Sequence, residues 1–143
     1  MKENELYGSV ILGAKKDGIH LVKIVDGSVG KKPFDMFGII DGGIAIAVEV
    51  KVWRKNPQLP PLTIYELPKN TFEPQQLPWL QEWDDKGGVS FVLMYCEYTR
   101  TMYVYDMANH RLAGTLDGGK TTEWRGWKKL ISDHWLIRKT PRT

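Results

Sequence analysis

Asp35, Glu49 and Lys51 are two carboxylates and an ammonium whose spacing suits one face of a β-hairpin. The run from Asp35 to Lys51 has its turn at Asp41-Gly42-Gly43, where glycine permits the positive φ that a tight hairpin loop needs. A three-residue loop pairs Ile40 with Ile44. Counting outward from that pair sets Asp35 opposite Glu49, with Cβ atoms roughly 5 Å apart. Lys51 follows Glu49 by two residues and so shares its face, about 6–7 Å along the strand. The other face carries Met36, Ile40, Ile44, Ile46, Val48, Val50 and Val52, all apolar. A two-residue loop would instead send Asp35 to that other face, because a slip of one residue inverts every side chain.

Two carboxylates directly opposed on a sheet repel unless a cation bridges them or one is protonated. Oxygen ligands at this separation suit Mg²⁺, with Mn²⁺ able to substitute. Such an ion keeps several waters and leaves positions for a phosphate and an attacking water. Lys51 is then placed to orient that water or to neutralise charge on the pentavalent phosphate. The competing reading is that Glu49 and Lys51 are the solvated side of an amphipathic strand, which alternation alone predicts equally well.

The elements that must hold these residues read as α/β. Residues Glu3 to Lys16 form a short helix weakened by Gly8 and Gly13. Gly18 to Val25, Asp35 to Asp41 and Ile44 to Trp53 make a three-stranded meander rich in isoleucine and valine. Residues 54–73 hold Pro57, Pro60, Pro61 and Pro68 and read as a long loop, of a length often functional. A helix bearing Gln76, Leu77, Leu80 and Trp83 ends at Gly87-Gly88. Pro78 in its interior predicts a kink or a later start. Val89 to Tyr95 is apolar on both faces, as in a strand between two layers, and should lie beside the hairpin. Met102 to Asp106 should follow through a turn. Thr122 then caps a helix running through Leu130, in which Trp124 and Trp127 pack against the core rather than stack on bases.

At 143 residues the chain reads as one domain with no internal repeat. Its net charge of +3 is unevenly spread. The segment 120–143 carries Lys120, Arg125, Lys128, Lys129, Arg138, Lys139 and Arg142 against Glu123 and Asp133. Such a segment suits a phosphate backbone. Cys96 is alone, which excludes an internal disulfide and fits a reducing, cytoplasmic setting. No signal peptide or membrane-length apolar run is expected, and His20, His110 and His134 lack metal-ligand spacing. A serine-hydrolase elbow, a P-loop and a dinucleotide fingerprint are absent from the sequence.

Pro33-Phe34-Asp35 followed by Glu49-Val50-Lys51 resembles the signature of the PD-(D/E)XK nuclease superfamily. The stretch from Phe72 through Gln76, Leu77, Leu80 and Trp83 to Gly87-Gly88-Val89 and Phe91 is similar to the helix and strand of RecU-type Holliday-junction resolvases. The loop Asp26-Gly27-Ser28-Val29-Gly30-Lys31-Lys32 resembles the loop preceding the aspartate in archaeal Hjc-type resolvases. The resemblance implies a restriction-endonuclease-like core, a mixed central sheet flanked by helices. It implies Asp35 and Glu49 as metal ligands, Lys51 as the catalytic lysine, Gln76 facing the site, and an acid on the first helix, for which Glu5 is chosen over Glu3. It also implies Ser28, Lys31 and Lys32 on DNA; the distribution of charge adds Arg54 and Lys55 at the start of the proline-rich loop, and Arg138, Lys139 and Arg142 near the end of the sequence. The expected activity is Mg²⁺-dependent DNA hydrolysis at a four-way junction by a homodimer. The alternatives are a duplex endonuclease of restriction, homing or repair type, or a non-catalytic DNA-binding module on this fold.

Overall fold

A computed structural model describes residues 2–25, 32–118 and 123–139, the last five by their backbone alone. Six strands form one sheet in the order β1 (Ile19–Lys23), β2 (Met36–Ile40), β3 (Ile44–Trp53), β4 (Val89–Cys96), β5 (Thr101–Asp106) and β6 (Arg111–Leu116). Every neighbouring pair is antiparallel except β3 and β4, which run parallel. That one parallel pairing needs a crossover, supplied by residues 54–88 with helix α2 (Gln76–Asp85). Helices α1 (Tyr7–Lys16) and α3 (Trp127–Lys139) complete the architecture.

Alternation along the strands divides the core in two. Val48, Val50, Phe91 and Leu93 face Val10 and Ala14 of α1 and Trp127, Leu130 and Ile131 of α3. Ala47, Val92, Met94 and Cys96 face Leu80 of α2. Strand β4 is therefore buried along its whole length, as its unbroken apolar sequence requires. The proline-rich segment is not a loose excursion. Ile64 and Leu67 enter the second core, and the Tyr105 hydroxyl donates to the Pro61 carbonyl at 2.5 Å.

Helix α2 begins at Gln76, the later start that Pro78 predicts, so Pro78 lies in its first turn, where amides have no intrahelical acceptor. Three elements differ from the sequence reading. Helix α1 begins at Tyr7, after a 3-10 turn at Glu3–Glu5, rather than at Glu3. Strand β6 was not expected, since Ala113-Gly114 breaks its alternation; pairing with β5 holds it. Helix α3 begins at Trp127 and runs to Lys139, later and longer than the 122–130 expectation. Its start is set from a distance. Asp17, at the end of α1, accepts the amides of Gly126 and Trp127 at 3.0 and 3.2 Å and pairs with Arg125 at 2.7 Å. Thr122 lies outside the described residues. Among the described residues no helix is long and apolar enough to cross a membrane.

Candidate active site

The β2–β3 hairpin has the three-residue loop. Gly42 and Gly43 have φ of 98° and 88°, and Ile40 pairs with Ile44. The ladder runs out to Met36 opposite Val48, so Asp35 and Glu49 follow as the next opposed pair. Phe34 seats the start of β2 by packing edge-on against Trp83 of α2, with ring centroids 5.3 Å apart. The Asp35 carbonyl accepts the Ile24 amide at 2.8 Å and extends the pairing with β1. Glu49 belongs to the Ala47 face, the side covered by α2, while α1 and α3 pack on the opposite face.

Both carboxylates are buried, Asp35 at 3% exposure and Glu49 at 0%. Their surroundings differ sharply. Asp35 Oδ1 accepts the Tyr7 hydroxyl at 2.9 Å and pairs with Lys32 Nζ at 2.9 Å, and Oδ2 accepts the Val50 amide at 2.7 Å. Among the described residues neither Glu49 oxygen has a donor in hydrogen-bonding geometry. Burial, followed by the adjacent Asp35, raises the Glu49 carboxyl far above the usual carboxylate range. Burial acts on Asp35 in the same sense, but the protonated Glu49 beside it, the Lys32 ammonium and the Val50 amide outweigh it and hold Asp35 low. Burial and mutual repulsion thus favour one shared proton on the metal-free pair, with Glu49 the member pushed toward protonation.

A buried carboxylate pair whose second member has both oxygens unsatisfied fits a hard cation. Among the described residues no three or more histidine, cysteine, aspartate or glutamate side chains converge. A two-carboxylate set suits Mg²⁺ or Mn²⁺, which complete their shell with water, better than zinc.

Lys51, half-buried and on the Glu49 face, lies with Nζ 5.6 Å from the Phe72 ring centroid. Of the two N-terminal acids, the structure brings Glu3 to the site and not Glu5. Glu3 is half-buried and raised, by burial first, against the pull of Lys51 and with the push of Asp35. Glu5 is exposed and lines a separate groove with Ser9, Leu12, Tyr95 and Arg100. The reason is the short 3-10 turn Glu3–Glu5 ahead of α1, which points the two acids to different sides.

Gln76 is buried at the start of α2, its Oε1 accepting the Glu73 amide at 2.9 Å. Its neighbour Gln75 donates to the Lys32 carbonyl at 3.4 Å. Arg54 pairs with Glu97 at 3.0 Å, and Lys55 sits 5.4 Å from the Trp53 ring centroid. Ser28, Lys31 and Arg142 lie outside the described residues, and Arg138 and Lys139 are described only as the backbone at the end of α3. Tyr7 escaped the sequence reading. Besides its bond to Asp35, its ring has Lys23 Nζ at 4.7 Å and Lys32 Nζ at 5.7 Å from the centroid. An aromatic residue in a helix's first turn, 28 positions from its partner, gives no sequence signal of such a contact.

The fold has solved counterparts. A Holliday junction resolvase, Hjc, from the archaeal hyperthermophile Archaeoglobus fulgidus superposes with a TM-score of 0.54 at 12% identity, over 89% of this chain and 98% of the resolvase. A bacterial homing endonuclease superposes with a TM-score of 0.51 at 15% identity, over 97% of each chain. The fold is that of the PD-(D/E)XK nucleases. At these identities the likeness concerns the fold. No protein-family model matches the sequence, and no curated protein does either.

Proposed function

We propose that this PD-(D/E)XK-fold chain is a divalent-metal-dependent endonuclease that hydrolyses DNA phosphodiesters, with four-way junctions as its preferred substrate. The observation that carries the reading is the buried Asp35–Glu49 pair on the face that also bears Lys51. Asp35 and Glu49 hold Mg²⁺, for which Mn²⁺ substitutes. When bound, the ion lowers the pKa of a coordinated water and offsets charge on the phosphate. Glu49 must give up its proton for this. Lys51, held over Phe72, directs its ammonium toward the reacting phosphate and offsets the charge that develops there. Glu3 stands near enough to Asp35 and Lys51 to orient water at the edge of the site.

The side chains of Lys32, Arg54 and Lys55 supply backbone contacts near the site, and Ser28, Lys31, Arg138, Lys139 and Arg142 extend the proposed path. Helix α3 packs on the face opposite Glu49, so its basic end must reach DNA around the sheet. Cutting a four-way junction requires two incisions, and the described residues hold one such pair of carboxylates. The junction reading therefore entails a two-fold dimer, acting on cytoplasmic DNA. A second reading, cleavage of linear duplex at a defined sequence, is favoured by the fold match to the homing endonuclease.

Purified protein incubated with four-way junction, nicked and linear duplex DNA, each with Mg²⁺ or EDTA, separates these readings. Symmetric nicks in the junction, dependent on Mg²⁺, are expected. A single defined cut in linear duplex would favour the second reading. Binding without cleavage of any DNA would leave a non-catalytic module on this fold.

A further inference from the structure

Lys32 lies on the solvent side of the carboxylate pair. Its side chain is 21% exposed, against 4% for Asp35, and its ammonium is 2.9 Å from Asp35 Oδ1. With the Tyr7 hydroxyl on the same oxygen and the Val50 amide on Oδ2, three of roughly four acceptor positions of this carboxylate are filled. Two of the three donors are neutral. The third, Lys32, is the charged one, and it holds its ammonium against the oxygen where the metal's charge is needed. An ammonium and a divalent cation cannot share one carboxylate without strong repulsion in a buried setting.

The base from which this side chain extends is fixed. The Lys32 carbonyl accepts Gln75 Nε2 at 3.4 Å, and two residues on, Phe34 is pinned against Trp83. The ammonium can therefore leave Asp35 by rotating about its own side-chain bonds, on a flexible four-carbon stem, without a shift of the backbone. Outward is the direction from which a DNA phosphate must come, since Glu49 and Asp35 are otherwise enclosed.

Building on the metal-dependent reading above, we propose that Lys32 is an exchangeable counter-ion of Asp35. Metal binding expels its ammonium, which then takes a phosphate of the incoming DNA, so metal and DNA bind cooperatively through one side chain. By reciprocity, DNA that captures Lys32 must raise the affinity for metal by the same factor that metal raises the affinity for DNA.

The test is Mn²⁺ binding to the full chain, read from the paramagnetic resonance of free Mn²⁺, without DNA. Lys32→Met keeps the stem and removes the charge. It should bind Mn²⁺ about tenfold more tightly than wild type, within the usual range of coupling between sites. Lys32→Arg should restore the wild-type affinity. Junction affinity measured with Mn²⁺ and with EDTA, in a Lys51→Ala background to suppress cleavage, should show a smaller metal effect for Lys32→Met. Equal or weaker Mn²⁺ binding by Lys32→Met would overturn the exchange and make Lys32 a structural partner of Asp35. Asp35→Asn serves as the separate control. If it bound Mn²⁺ as well as wild type, the metal site itself would be wrong, and the exchange with it.

Discussion

The backbone amide of Val50 donates to Asp35 Oδ2 at 2.7 Å, so the strand that carries Glu49 also fixes the carboxylate facing it. The bond joins residues on both sides of the hairpin, and the two members of the pair cannot shift independently. Asp35 is thereby held low in a buried place, while Glu49, with no donor among the described residues, is pushed toward protonation.

That asymmetry makes stability depend on pH in a defined direction. Glu49 is raised from an ordinary value of 4.5, so above pH 4.5 the folded state binds a proton that the unfolded state has released. Unfolding stability of the metal-free protein should therefore fall as pH rises from 4.5 toward neutrality. Asp35 is lowered from 3.8 and acts oppositely, its contribution present above 3.8 and lost as pH falls through its folded value. Glu49→Gln should flatten the fall above 4.5, measured by urea denaturation across pH. Parallel profiles for wild type and Glu49→Gln would contradict the placement of the proton.

Tyr7→Phe removes one donor from Asp35 and leaves the ring against Lys23 and Lys32. Loss of such an orienting partner typically costs 10–100-fold in metal affinity or activity, and about that is expected here in Mn²⁺ titration. The lost donor to a buried carboxylate should also lower stability, by about 1–3 kcal/mol. An unaltered Mn²⁺ affinity would mean that Tyr7 only packs.

Lys51→Ala should lower the single-turnover cleavage rate by about 10²–10³-fold while Mn²⁺ affinity stays within a few-fold of wild type. The distinction follows from placement, since Lys51 shares the face of Glu49 but binds none of its oxygens. Loss of metal binding in this variant would move Lys51 from transition-state stabilisation to site assembly.

His134 of α3 and Asp84 of α2 meet at 2.9 Å, both buried, and join helices that pack on opposite faces of the sheet. The approach is close but not in hydrogen-bonding geometry, so Asp84→Ala removes a buried polar contact between the two helices and should lower stability in urea denaturation by about 1 kcal/mol or more. Mn²⁺ affinity should survive, because neither residue touches Asp35 or Glu49.

Much of the candidate site's geometry was legible because it lies within one hairpin. The Asp41-Gly42-Gly43 turn determines register, register determines face, and Asp35, Glu49 and Lys51 follow by counting. The strands β1 to β5 were legible for the same reason, their apolar runs being local. What was not legible depends on contacts distant in sequence. The start of α3 is set by Asp17, more than a hundred residues away, and β6 exists because β5 offers it an edge. Tyr7 reaches Asp35 only once α1 has packed beside the start of β2. The choice between Glu3 and Glu5 turned on a 3-10 turn whose direction spacing to Gly18 did not reveal.

The central claim is that Asp35 and Glu49 hold the metal with which this chain cuts DNA. Single-turnover cleavage of a four-way junction by wild type, Asp35→Asn and Glu49→Gln, each with Mg²⁺ and with EDTA, tests it most directly. Paired symmetric nicks by wild type with Mg²⁺ alone are predicted, with both variants binding the junction but cutting it at least about 10³-fold more slowly. Cleavage by either variant at a near wild-type rate, or wild-type cleavage that persists in EDTA, would contradict it.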